Sequence, residues 1–74
     1  MKLSQLHKGD RALIKKVDTD EVLKRRLASF GVVRGSELTI EACSMGKQTI
    51  EILVDDTLIG LRRDEAEKIE VEKL

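Results

Sequence analysis

Residues 36–62 read SELTIEACSMGKQTIEILVDDTLIGLR, and this stretch decides the fold. Leu38, Ile40 and Ala42 alternate with polar residues, then Ile50, Ile52 and Val54 do so, then Ile59 and Leu61. A period of two is the signature of a strand, because successive side chains point to opposite faces of a sheet. Asp55-Asp56 predicts a two-residue turn, and residues 44–48 a longer loop in which Gly46 supplies the special dihedrals. Register follows from matching the apolar faces. Ala42 is then expected across from Ile50, Ile40 across from Ile52, Ile52 facing Ile59 and Ile50 facing Leu61. The same register pairs Leu53 with Leu58 on the outward face and sets Glu41 opposite Glu51 there.

Upstream, residues 11–17 (RALIKKV) read as a strand whose alternation breaks at Lys15-Lys16. A bulge at that point brings both Ile14 and Val17 to the core face. Residues 20–30 predict the one clear helix, capped by Thr19 or Asp20 and with Asp20 and Glu21 at its positive end. Gly31 follows in the position that takes a left-handed conformation, and Val32 is placed to close the apolar contact that accompanies such a cap. At about 100° per residue, Val22, Leu23, Leu27 and Phe30 share a face. Arg26 falls inside that arc, so its stem is expected to be buried and its guanidinium turned onto carbonyls or a carboxylate. Lys24 and Arg25 point away. Gly35 suits a second tight turn. Downstream, residues 63–68 predict one helical turn with Ala66 inward, and residues 69–72 a last strand with Ile69 and Val71 inward. The fold class is mainly β. Five short strands predict a small closed barrel, because closure removes exposed edges.

The chain has 74 residues, enough for one domain spanning 1–74. Cys43 is the only cysteine and has no internal partner, which fits a reducing, cytoplasmic setting. The first residues carry no apolar leader, and no run approaches transmembrane length, so any membrane connection is indirect, through a partner. Fourteen basic and fourteen acidic residues give no net charge, which removes the global field that attracts nucleic acid. Residues 1–36 nevertheless carry nine basic and four acidic residues (+5), and residues 37–74 five basic and ten acidic (−5). That asymmetry gives either a mixed surface after folding or a dipolar molecule that orients on a charged partner. Phe30 is the only aromatic residue, so stacking platforms for single-stranded nucleic acid and aromatic grooves for proline-rich peptides are both missing.

The order strand, helix, three-strand meander, helical turn, strand resembles the SH3-like barrel of the ferrous iron transport protein A (FeoA) family. The likeness runs over essentially the whole chain: Leu3, Leu6 and Gly9; Arg26-Leu27 followed by Gly31 and Gly35; then Leu61-Arg62, Ala66, Ile69 and Val71. The chain has Arg34-Gly35 where the family often has Pro-Gly, and no proline in residues 44–48. The resemblance implies a non-enzymatic cytosolic accessory protein of bacterial ferrous iron uptake. Its implied partner is ferrous iron transport protein B, a membrane permease with a cytoplasmic GTP-binding domain. The alternative is a metal-sensing regulatory module like the SH3-like C-terminal domain of iron-dependent repressors. In both readings Arg26, Leu27, Gly31 and Gly35 are structural.

Catalysis has little support in the residues. His7 and Cys43 are far apart in sequence, and no phosphate-binding or dinucleotide fingerprint occurs, so no cofactor is expected. For metal, the sharp reading is a weak cation site at Glu41, Glu51 and Cys43. The bland one is a solvated acidic patch relieved by Lys47. For docking, Leu53 and Leu58 form a contiguous outward pair, unless Leu3 and Leu6 or the last strand cover them. Lys24, Arg25 and Arg34 form either a basic rim that steers a GTP-binding domain or a solvated helix face.

Overall fold

The computed structural model describes residues 1–74. A 3-10 turn at Leu3–Gln5 leads into β1 (Arg11–Val17), α1 (Glu21–Ser29), β2 (Glu37–Cys43), a 3-10 turn at Met45–Lys47, β3 (Thr49–Val54), β4 (Thr57–Arg62), the short helix α2 (Arg63–Ala66) and β5 (Ile69–Lys73). The strands form one antiparallel sheet in the order β4-β3-β2-β1-β5. The inward side chains of all five strands join Leu3, Leu6, Leu27, Val32 and Ala66 in one apolar core. Burying each large aliphatic side chain contributes about 1.5–3 kcal/mol, so Leu3 and Leu6 give even the small N-terminal turn a firm apolar anchor.

The barrel does not close by strand pairing. β4 and β5 make no ladder; α2 joins them directly, and the N-terminal turn packs on α2 and β5. The outer edge of β5 is covered by the chain's own start, where the Val71 N–H donates to the Met1 carbonyl at 2.8 Å and Lys2 bridges Glu70. No such cover lies along β4.

Helix α1 begins where Asp20 accepts a hydrogen bond from the Leu23 N–H at 2.9 Å. Asp20 is therefore the cap rather than Thr19, whose hydroxyl is buried without a partner. The helix ends in a Schellman motif: the Gly31 N–H donates to the Ala28 carbonyl and the Val32 N–H to the Leu27 carbonyl, with Gly31 at φ +91°. Val32 is buried, as its place after the cap requires. The rest of the expected apolar arc differs. Only Leu27 is buried and Leu23 partly so, whereas Val22 is 81% and Phe30 42% exposed. Arg26 is exposed too and holds neither carbonyl nor carboxylate, so the packing-and-bonding role expected of it is corrected. A nine-residue helix rests on a small barrel along a narrow line, and one turn of contact is all that it buries.

The β1 irregularity falls between Ile14 and Lys16, and both Ile14 and Val17 are buried, as expected. A second irregularity was not foreseen. Between Ile40 and Ala42 the β2 register shifts, so Ala42 stands opposite Glu51 and Cys43 opposite Ile50. Glu41 is the extra residue of a bulge. The expected Ala42–Ile50 and Glu41–Glu51 pairings are therefore corrected, and Cys43 packs against the core instead of facing outward. The β3–β4 register is as expected throughout, including Ile52 with Ile59 and Leu53 with Leu58.

Candidate functional site

A two-residue hairpin turn makes Val54 and Thr57 a hydrogen-bonded pair. The same parity carries along the hairpin to its far end, where the Arg63 N–H donates to the Gln48 carbonyl at 3.0 Å. Leu53 and Leu58 are thus a non-hydrogen-bonded pair, the arrangement in which facing side chains lie closest. Leu58 is 56% exposed, and Leu53 is half-buried with Thr39 on its other side. Leu3 and Leu6 are fully buried in the core, and β5 pairs with β1 and makes no ladder with β4, so neither covers the pair.

The basic residues divide. Lys24 and Arg34 line a groove of about 540 Å³ together with Lys15 and Lys16, over an apolar floor of Val17, Ala28, Val32 and Val33. No acidic side chain lines it. Lys15 reaches Glu72 at 3.5 Å, an exposed pair of little energetic weight. Arg25 is exposed on α1 and takes no part in the groove. Lys15 and Lys16 were not singled out from the sequence, although the broken alternation was the signal: a bulge turns both neighbouring side chains to solvent.

The acidic candidates do not form a three-ligand cluster. Glu41 sits on the bulge and Glu51 opposite Ala42, and no three His, Cys, Asp or Glu side chains gather in a way that could hold a metal. Lys47 does not relieve this patch either. Its Nζ donates to the Leu6 carbonyl at 2.8 Å and the Ser4 carbonyl at 3.4 Å, tying the β2–β3 loop to the N-terminal turn. His7 belongs to a separate turn, where its N–H donates to the Asp10 carboxylate at 2.8 Å and Nδ1 lies 3.9 Å from it.

Charges elsewhere serve the termini. The His7 N–H, and then the Lys73 ammonium, hold the Asp10 carboxyl below its ordinary range. Lys2 does the same for Glu70, and Glu70 in turn raises Lys2. No helix of the protein is long and apolar enough to cross a membrane.

A family model described as the FeoA domain matches residues 1–73. The chain is 38% identical over 72 residues to a Porphyromonas gingivalis Fe(2+) transport protein A/Fe(2+) transporter FeoB fusion protein, covering 97% of this chain but only 8% of that one. It is 37% identical to a putative Fe(2+) transport protein A of Campylobacter jejuni, covering 96% of each chain. Among solved structures, the FeoA protein of Chlorobium tepidum superposes with a TM-score of 0.94 at 39% identity, over all of this chain and 70% of that one. The zinc-complexed FeoA of Stenotrophomonas maltophilia, described as an SH3 domain protein, gives 0.84 at 29% identity over 97% and 89%. A manganese-dependent transcriptional repressor gives 0.89 at 26%, with 99% of this chain covering 40% of that one. The architecture is SH3-like, and the chain belongs to the FeoA family.

Proposed function

We propose that this chain is a non-enzymatic, cytoplasmic accessory protein of ferrous iron uptake that docks on the cytoplasmic GTP-binding part of a ferrous iron permease. The observation that carries the reading is the Porphyromonas relative, in which a domain similar to this chain is continuous with a FeoB transporter. A domain fused to a transporter in one organism and separate in another fits a contact that fusion makes permanent by raising the effective concentration of one part for the other. The exposed Leu58 with Leu53 supplies the apolar centre of the contact, and Lys24 and Arg34, with Lys15 and Lys16, supply a basic surface that steers association. Arg25 adds charge on the neighbouring helix face.

Binding to the purified cytoplasmic part of the permease from the same cell tests this. Leu53→Asp combined with Leu58→Asp is expected to weaken binding at least about thirtyfold, the size of a loss at a central apolar anchor. A folded double variant, checked by circular dichroism, that still binds like the parent refutes the leucine patch; a parent that does not bind refutes the docking. The repressor likeness favours a second reading, a metal-sensing module. Calorimetric titration with ferrous or manganous ion decides it: heat above dilution favours sensing, and its absence at millimolar ion removes it.

A further inference from the structure

The β4 edge stands out because the molecule leaves it uncovered while covering β5. On this edge the N–H and C=O groups of Leu58 and Gly60 point away from β3, since the residues bonded to β3 are Thr57, Ile59 and Leu61. The next outward N–H, that of Arg62, is taken by the Glu65 carboxylate at 2.8 Å. Between Thr57 and Leu61 there is no lysine, proline or bulge, the usual devices that stop an edge from pairing. Gly60 sits in open space, with nothing within 4 Å of a Cβ placed there and no left-handed backbone to require a glycine. A glycine inside a strand marks a bulge, a tight bend or a close approach of another backbone, and the β3–β4 ladder runs past Gly60 without a bulge.

The charges say which chain fits. An antiparallel strand laid on β4 begins near Arg62-Arg63 and ends near Asp55-Asp56. It therefore carries acid at its start, base at its end, a small residue opposite Leu58 and a large apolar one opposite Gly60. Residues 55–63 of this chain have that pattern. We infer that β4 is a self-pairing edge, on which a second copy of this chain docks antiparallel about a two-fold axis through Ile59. In this register Leu58 and Gly60 of opposite copies exchange both backbone hydrogen bonds, and each Leu58 side chain lies over the other copy's Gly60. Asp56 faces Arg62 across the axis at both ends. The contact is isologous, so it closes at two copies rather than growing into a fibre. It also buries Leu58, so self-pairing and permease docking exclude each other on this surface.

The test uses this chain alone and does not depend on the permease. Sedimentation equilibrium up to about 1 mM, where weak association becomes visible, is expected to show a monomer–dimer equilibrium. Amide exchange at Leu58 and Gly60 should slow as concentration rises, while exchange at Ile59 and Leu61 does not change. Asp56→Lys and Arg62→Asp each place like charges across the axis and should weaken the dimer roughly tenfold. Mixing the two variants restores opposite charges at both ends and should recover parental affinity. Circular dichroism checks that both fold, and an aspartate before α2 is itself a good helix cap. A monomer at every concentration overturns the inference. So does a dimer with unchanged exchange at Leu58 and Gly60, or charge variants that mixing does not rescue.

Discussion

Lys47→Met separates the observed role of Lys47 from the one its sequence position implied. The ammonium donates to two backbone carbonyls, Leu6 at 2.8 Å and, more weakly, Ser4 at 3.4 Å. Methionine keeps much of the stem and leaves the same backbone strain, since residue 47 has φ +56° whatever non-glycine side chain stands there. The perturbation is therefore confined to the charged hydrogen bonds. Such bonds contribute about 1.5–3 kcal/mol when sheltered, and the partly exposed side chain brings this to about 1–2 kcal/mol. For a domain of this size that is a fall in Tm of about 4–16 °C, read by thermal circular dichroism. The acceptors are carbonyls, so the loss should persist in about 1 M salt, where exposed ion pairs are screened. If Lys47 instead relieved repulsion at Glu41 and Glu51, the loss would shrink in salt and Glu51→Gln would rescue it. Either result, or a shift under about 2 °C, refutes the tether.

Gly31→Ala forces a Cβ onto a residue at φ +91° and should cost about 1–2 kcal/mol, although its Cβ meets Val54 only at ordinary contact distance, 3.5 Å. Gly60→Ala, without that backbone requirement, should be near neutral; equal losses in urea titration contradict the capping account. Asp10 and Glu70 have lowered carboxyl pKa values, so the stability they add is present above their unfolded values and is lost as pH falls from about 4 through the folded ones. Lys2 is raised, so its share persists below its unfolded pKa and disappears only in strong alkali. Urea midpoints should hold from about pH 5 to 9 and drop in acid, and Lys2→Met should reduce the acid drop; a flat acid limb contradicts the pairing.

Local chemistry was legible in the residues. Alternation marked the meander because a strand's two faces are written every second residue, and both leucines of the outward pair were found that way. Gly31 and Val32 announced the helix end because a Schellman cap is closed within a few residues. The broken alternation at Lys15-Lys16 announced the first bulge. Residues 40–43 carry no such break, so the second bulge was invisible: alternation alone favoured Ala42 inward, and only the fit of β2 onto β3 set Cys43 there instead. Arg26 failed for a related reason. A helical wheel shows which side chains share a face, not how wide a strip the partner surface can cover.

The sequence by itself determined five strands, one capped helix, a mainly β fold of FeoA type and the leucine pair, all consequences of periodicity and short-range backbone requirements. The tertiary structure alone decided where the second bulge falls, which lysines share a groove, where Lys47 is bound and which sheet edge is left open. Each of those depends on segments distant in the chain meeting in three dimensions, and no local pattern records which of them meet.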